Sequence, residues 1–170
     1  MESSVYLRAL RPTDIATYAD WGADRLFCLH AGWTVDLPRS AHEARWRRII
    51  EDPVLVRLAA VRGDDVIGYV DLHGTELGYV VGPPSRWGQG LGGAIARLGL
   101  EHAFEVLGFD SVDAEAAETN QASLRILQSL GMSETDQHGE DTYLGVLTPT
   151  RCFRITRESY LRQNPVPEGK

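Results

Sequence analysis

Alternating apolar and polar residues, together with runs of β-branched residues, predict seven strands along the chain. The predicted strands cover residues 5–10, 54–61, 66–72, 76–81, 111–116, 142–146 and 151–156. Short turns at 62–65 and 73–74 join the second, third and fourth strands, so these three should form an antiparallel meander. A long helix separates the fourth strand from the fifth and predicts a single βαβ crossover there.

Apolar residues at helical spacing predict four helices, and the whole pattern indicates one α/β domain over residues 1–163. The predicted helices cover residues 11–30, 40–52, 91–107 and 121–130. Ser40 is the expected N-cap of the second helix, with Glu43 completing a capping box, and Asn120 is the expected N-cap of the fourth. Residues 164–170 are polar, contain two prolines and should form a flexible tail.

The charge balance narrows the possible partners. The chain of 170 residues has 17 Lys and Arg against 24 Asp and Glu, a net charge of −7. Nucleic-acid binding needs a basic surface and is not indicated. A negative cleft would favour a cationic substrate, although such a charge also serves solubility alone.

Other broad classes of protein are not indicated either. Apolar runs are too short to span a membrane, and Met1–Ser4 lack a signal-peptide pattern, so we expect a cytoplasmic protein. Cys28 and Cys152 stand far apart without a Cys/His cluster, so we expect two small buried hydrophobes and no metal site.

The segment with the clearest chemistry is the glycine-rich loop at 87–93, which follows a strand and opens a helix. Glycines let backbone N–H groups converge on an anion, and a helix N-terminus adds positive potential. A phosphate or pyrophosphate ligand is therefore predicted. The Gly-Lys-Ser/Thr of a Walker loop is absent from the sequence, so phosphoryl transfer is not indicated.

One rival is an NAD(P)-dependent oxidoreductase, because Gly88-x-Gly90-x-x-Gly93 formally satisfies the dinucleotide fingerprint. Asp113 or Glu115, about 20 residues further on, could then bind a ribose. Three features count against it. The preceding strand belongs to a meander, five residues (83–87) separate strand from glycines, and only one βαβ unit follows.

At this point the chain resembles the GNAT superfamily of N-acetyltransferases, whose signature Arg/Gln-x-x-Gly-x-Gly/Ala follows the fourth strand. Gly88-Gln89-Gly90-Leu91-Gly92 fits it, with Trp87 where Arg or Gln is usual. With this aromatic residue the chain resembles the subgroup of ribosomal-protein alanine N-acetyltransferases, in which an aromatic is common just before the glycines. Further segments resembling this subgroup are Leu7-Arg8 through Asp14, Ile67-Gly68-Tyr69, Glu76-Leu77-Gly78-Tyr79, Asn120-x-x-Ser123 through Leu130-Gly131-Met132, and Phe153 through Glu158.

The resemblance implies a mixed, mostly antiparallel sheet of about seven strands with flanking helices and a splay between strands four and five. It also implies acetyl-CoA as cosubstrate, with the pantetheine arm lying in the splay as an added strand. The residues it assigns to acetyl-CoA are Tyr79, Val80, Val81 and Gly82 for pantetheine and thioester, Trp87, Gly88, Gln89, Gly90, Leu91, Gly92 and Gly93 for pyrophosphate, and Asn120 for the arm.

Direct acetyl transfer in a ternary complex needs a base for the ammonium and a donor for the oxyanion. The N–H of Val80 or Val81 could polarise the carbonyl. Glu76 is the candidate base, and the alternative is that it orients a loop or caps the hairpin. His73, in the turn just before, is a second candidate because it could titrate near neutral pH.

The departing thiolate can take up a proton from an acid on the enzyme. Many superfamily members carry a tyrosine seven residues after the Asn at position 120, where this chain has Leu127. Ser123 is the remaining candidate acid on that helix, although a helix-turn serine often only bonds backbone. Tyr143 is a second candidate, and the thiolate could also leave unaided.

The acceptor is the open question. Trp33 and Asp36, in the irregular segment before the second helix, are the candidate substrate-binding residues, although core packing is the commoner fate of a tryptophan. A protein N-terminus competes with small amines as acceptor. A CoA-binding module without catalysis is a third alternative. The sequence leaves the oligomeric state open, and a homodimer is one candidate because dimers are common in proteins of this kind.

Overall fold

A seven-stranded sheet in the order β1-β2-β3-β4-β5-β7-β6 organises residues 4–165, the part of the chain that the computed structural model describes. Its strands are β1 (Val5–Ala9), β2 (Val56–Arg62), β3 (Asp65–His73), β4 (Glu76–Val81), β5 (Ser111–Ala117), β6 (Ser133–Tyr143) and β7 (Val146–Thr156). All neighbours are antiparallel except β4 and β5, which are parallel. The expected mixed, mostly antiparallel sheet is confirmed.

Within the described residues, six α-helices flank the sheet. They are α1 (Ile15–Trp21), α2 (Arg25–Ala31), α3 (Arg39–Glu51), α4 (Leu91–Glu101), α5 (Gln121–Ser129) and α6 (Arg157–Gln163). A π-helical turn, His102–Val106, extends α4. We call the sheet face covered by α1–α3 the front and the face covered by α4–α6 the back.

The two faces carry different cores. The front core is largely aromatic, with Tyr18 of α1 stacked on Trp46 of α3 at a centroid distance of 3.8 Å. Among the strands in the described part of the chain, β2, β3 and β4 alone contribute side chains to it. The back core is mostly aliphatic and reaches across β5 to Phe153 and Ile155 of β7. The front layer therefore stops at β4, and the front of β5, β7 and β6 is left without a helix.

Two predictions about the first helices were wrong. The helix expected over 11–30 is divided at Gly22 into α1 and α2, and a Cβ at this glycine would overlap the His42 ring. The next helix begins at Arg39 with Pro38 at the N-cap, so Ser40 is not the cap. Glu43 accepts a hydrogen bond from Arg39 at 2.9 Å instead of closing a capping box.

Two elements near the C-terminus also differ from prediction. The strand expected over 142–146 crosses the hairpin turn at Leu144 and Gly145, whose φ angles are 52° and 79°. β6 instead begins at Ser133, and its polar, exposed sequence lacks the alternation that identifies a half-buried strand. Helix α6 was not predicted; Thr156 caps it by accepting from the Ser159 N–H. The predicted tail lies mostly outside the described residues.

No helix within residues 4–165 is long and apolar enough to cross a lipid bilayer. The described residues also contain no group of three or more His, Cys, Asp or Glu side chains placed to share a metal ion.

Candidate active site

Strands β4 and β5 separate shortly after they meet. Their one registered pair is Glu76 with Asp113, and the Asp113 N–H donates to the Thr75 carbonyl at 2.9 Å. Beyond that pair no hydrogen bond joins the two strands in the described part of the chain. The opening between them, called the gap below, confirms the expected splay.

The direction of the β4 backbone decides which groups face the gap. The Gly82 N–H donates to the Ile67 carbonyl on β3 at 2.8 Å, whereas the Thr75 carbonyl faces β5. Backbone groups alternate sides along an antiparallel strand, and the β3–β4 register has no bulge. The N–H groups of Tyr79 and Val81 therefore face the gap, and that of Val80 faces β3.

The glycine-rich loop ends in a helix start that carries no side-chain cap. Gly90, the N-cap of α4, has φ of 74°, as does Gly88, and a Cβ at either position would meet no atom within 4 Å. The first N–H groups of α4 are therefore open to an external acceptor. An anion such as a pyrophosphate fits this start by charge and by space.

The other residues predicted in the loop have different surroundings. The Trp87 indole N–H donates to the Gly82 carbonyl at 2.8 Å and so fixes the loop to the end of β4. The Gln89 amide donates to the Ser85 carbonyl. Leu91 is buried in the back core, and a Cβ at Gly92 would lie 3.0 Å from Ile126 on α5, whereas one at Gly93 would meet open space.

Helix α5 begins on the other side of the gap and does carry a cap. The Asn120 Oδ1 accepts from the Ser123 N–H at 3.2 Å, so only its NH₂ group remains for an external acceptor. The Ser123 hydroxyl lies 2.6 Å from the Tyr79 hydroxyl, and this hydrogen bond joins β4 to α5 on the back of the sheet. Leu127 is fully buried in the back core.

Glu76 lies on the front, at the narrow end of the gap. It borders a depression of about 420 Å³, called the front depression, which is lined by His73, Gly74, Thr75, Glu76, Asp113, Ala114, Glu115, Thr135, Gln137, Cys152, Phe153 and Arg154. Partial burial, followed by the charge of Glu115, raises the pKa of Glu76. Asp113 and Asp141 act in the same direction and His73 opposes them. A carboxylate surrounded by carboxylates attracts a cation.

The neighbouring carboxylates are held differently. Asp113 accepts from Arg154 at 2.6 Å and from Thr75 at 2.9 Å, and the Arg154 hydrogen bond lowers its pKa. Glu115 accepts from the Thr150 hydroxyl at 3.2 Å. From the sequence, Asp113 and Glu115 were expected only as ribose ligands of the dinucleotide alternative. Their alternation with buried Val112, Ala114 and Ala116 was the signal that puts both on the front.

The predicted acceptor residues lie elsewhere. Trp33 is 6% exposed within the front core, and its indole N–H donates to the Tyr69 hydroxyl at 2.9 Å. Asp36 is exposed, has φ of 58° and pairs with Arg25 at a separate depression between α2 and α3. Neither residue lines the front depression.

A contact that the sequence analysis missed spans the front at the wide end of the gap. The Tyr143 hydroxyl lies 3.1 Å from His30 Nε2, and the Leu144 N–H donates to the Leu29 carbonyl at 3.3 Å. The His30 ring also lies 4.5 Å from the Trp87 ring. Helix α2, the glycine-rich loop and the β6–β7 hairpin therefore meet at His30. No short-range sequence signal links these segments.

A family model described as an acetyltransferase (GNAT) domain matches residues 4–133. The spermidine N-acetyltransferase of Vibrio cholerae, solved with CoA and spermine, is 18% identical, with a TM-score of 0.79 over 93% of this chain and 98% of that one. An aminoglycoside acetyltransferase solved with coenzyme A is 16% identical, with a TM-score of 0.75 over 95% and 99%. A GNAT-family acetyltransferase from Bacillus anthracis is 14% identical, with a TM-score of 0.75 over 93% and 99%. At these identities the solved structures show a shared fold.

Proposed function

The chain belongs to the GNAT family of acetyl-CoA-dependent N-acetyltransferases, and we propose that its acceptor is a primary amine on a small cationic molecule. The observation that carries this proposal is the group of carboxylates around Glu76 on the uncovered front of the sheet. The dinucleotide alternative is not favoured, because the family model spans the glycine-rich loop and the meander before it is antiparallel.

The donor would enter the gap from the back. The uncapped start of α4 suits the pyrophosphate of acetyl-CoA, and the N–H groups of Tyr79 and Val81 suit the amides and the thioester of the pantetheine arm. The Val81 N–H is the better placed of the two predicted oxyanion donors, since that of Val80 is directed to β3. The Asn120 NH₂ group would bond the arm from the opposite wall.

Glu76 is the proposed general base, acting directly or through a water molecule. An ammonium group attracted to the front depression must lose a proton before its nitrogen can attack the thioester. A carboxylate whose pKa is raised is a stronger base than an ordinary glutamate, so its environment suits this role.

The contact between α2 and the β6–β7 hairpin favours a small acceptor. It crosses the front at the wide end of the gap, through His30, Tyr143 and Leu144, where a peptide would need an open groove. The resemblance to ribosomal-protein alanine acetyltransferases would instead predict a protein N-terminus. A cytoplasmic location and a homodimer remain predictions.

Release of free CoA thiol with a panel of acceptors tests the proposal. We expect spermidine and aminoglycosides to be turned over with a much higher kcat/KM than an uncharged primary amine or an N-terminal alanine peptide. Glu115→Gln should raise the KM for a polycation about tenfold, whereas Asp64→Asn, in the distant β2–β3 turn, should leave it unchanged. Preference for the peptide would overturn the proposal, and acetyl-CoA binding without any turnover would favour the non-catalytic module.

A further inference from the structure

A hydrogen bond between Tyr79 and Ser123 crosses the gap on the back of the sheet. At 2.6 Å it is short, and it joins the strand on one side of the gap to the first turn of the helix on the other side. Tyr79 is half-buried, and its backbone N–H faces the gap. Because its hydroxyl bonds Ser123 on the other side of the gap, the phenol lies beside the route proposed for the pantetheine arm.

Two hydroxyl groups share this single contact. Each carries one proton, and a bond between them uses one of the two. Neither hydroxyl has another hydrogen-bond partner within residues 4–165. One O–H of the pair therefore has no acceptor among the described residues and is free to donate to a bound molecule. Burial raises the pKa of Tyr79, with the Ser123 bond opposing it, so the phenol keeps its proton at neutral pH.

Acetyl transfer creates a need for that proton. When the tetrahedral intermediate collapses, the C–S bond breaks and its electron pair stays on sulfur. A free thiol has a pKa of about 8.5, so the departing thiolate takes up a proton at neutral pH. Loss of water from around the sulfur would disfavour the anion further. The position on α5 where many relatives carry a tyrosine is Leu127, which is fully buried in the back core and has no proton to give.

We infer that the Tyr79 hydroxyl is the catalytic group that donates a proton to the departing CoA thiolate, and that Ser123 is the residue that positions it. The proton moves from the phenol oxygen to sulfur, and the phenolate recovers one from the Ser123 hydroxyl, which is reprotonated by water. The reacting ammonium loses two protons in all. One of them balances the proton taken up by sulfur, and the other is released to solvent. The inference rests on the acetyl-CoA-dependent activity and not on the identity of the acceptor.

Tyr79→Phe tests the donor through the leaving group. It should lower kcat with acetyl-CoA about 100-fold, a typical contribution of general acid catalysis. With acetyl-seleno-CoA the loss should be much smaller, because a selenolate leaves without a proton. Tyr160→Phe is the matched control. It removes a phenol of α6 that donates to Glu105 at 3.0 Å and takes no part in the gap. Equal losses with both cosubstrates would overturn the inference.

A second measurement needs no acceptor and no turnover. The thiol of bound CoA can be titrated by the ultraviolet absorbance of its thiolate. A donor to sulfur stabilises the thiolate, so the pKa of the bound thiol should be higher in Tyr79→Phe than in the wild type and unchanged in Tyr160→Phe. The same pKa in wild type and Tyr79→Phe would overturn the inference even if no acceptor were ever found.

Ser123 is tested by removal and by rescue. Ser123→Ala should lower kcat less than Tyr79→Phe does and should raise the pKa of bound CoA in the same direction. Ser123→Thr retains a hydroxyl at the first turn of α5 and should restore both values. Wild-type behaviour of Ser123→Ala in both measurements would remove Ser123 from the inference, and a Ser123→Thr variant as impaired as Ser123→Ala would do the same.

Discussion

The two faces of the sheet differ at the gap between β4 and β5. On the front, Glu76, Glu115 and Asp141 are exposed, and the helical layer ends at β4. On the back, the gap is bordered by hydroxyls, backbone N–H groups and two helix N-termini. A cationic amine and a polyanionic cosubstrate need opposite potentials, and carboxylates beside the pyrophosphate would repel it. Placing the two sets of groups on opposite faces satisfies both requirements.

The two helix starts on the back differ from one another as well. Helix α5 is capped by the Asn120 side chain, whereas α4 begins at a glycine with no side-chain cap. A cap satisfies an N–H group that would otherwise be open to a ligand. The difference supports our proposal that the start of α4 binds the pyrophosphate and that α5 contributes side chains.

Glu76→Gln would remove the proposed general base on the front of the sheet and should have the largest effect. The amide keeps the shape of the side chain but cannot accept the proton, so kcat/KM should fall about 100-fold or more. In the wild type the rate should fall as the pH falls through the raised pKa of Glu76, because the protonated acid is inactive as a base. The variant should lack this acidic limb, and its acetyl-CoA affinity, measured by calorimetry, should not change. A pH profile identical to that of the wild type would exclude Glu76 as the base.

Trp33→Phe would show whether Trp33 belongs to the front core or to the acceptor site. Its loss leaves the buried Tyr69 hydroxyl without the indole donor, so the free energy of unfolding should fall by about 2 kcal/mol. The KM for the acceptor should stay within twofold. Trp46→Phe is the matched control, since the Trp46 N–H has no partner among the described residues. Urea unfolding should rank Trp33→Phe as the more destabilised, and a raised KM instead would return Trp33 to the acceptor site.

Gly90→Ala would change the back of the gap and leave the front alone. A left-handed φ costs an L-residue about 1–2 kcal/mol, and the new methyl group would occupy the space proposed for the pyrophosphate. The Kd for acetyl-CoA should rise about tenfold with the acceptor KM unchanged. Gly108→Ala, also with φ of 74°, lies beyond the π-helical turn at the other end of α4, where a Cβ would meet only the Arg157 guanidinium at 3.9 Å, and carries the same strain away from the gap. If both variants weaken acetyl-CoA binding equally, the loop has no special role.

The back of the site was more predictable from the sequence than the front. The glycine-rich loop, the crossover and the Asn120 cap are local patterns, in which neighbouring residues determine the backbone. The front depression is built from β4, β5, β6 and β7, which the chain brings together only in the folded sheet. Trp33 was assigned to the acceptor by its position in an irregular segment, yet packing with Phe27 and Tyr69 places it in the core. Likewise, no sequence spacing connects Tyr79 to Ser123, 44 residues away.

The smallest predicted effect is a loss of stability of the front layer on acidification. His42 is buried beside Trp33, and both ring nitrogens lack a partner among the described residues. Burial, followed by the charge of Arg45, lowers its pKa, so the folded protein favours neutral imidazole. The unfolded chain takes up the proton more readily, so this contribution to stability is complete above about pH 6.5 and is lost as the pH falls below it. Thermal unfolding between about pH 5 and about pH 8, roughly 1.5 units either side of that value, should depend less steeply on pH in His42→Phe than in the wild type. His138→Gln, on exposed β6, should match the wild type; an unchanged slope in His42→Phe would show that the acid sensitivity arises elsewhere.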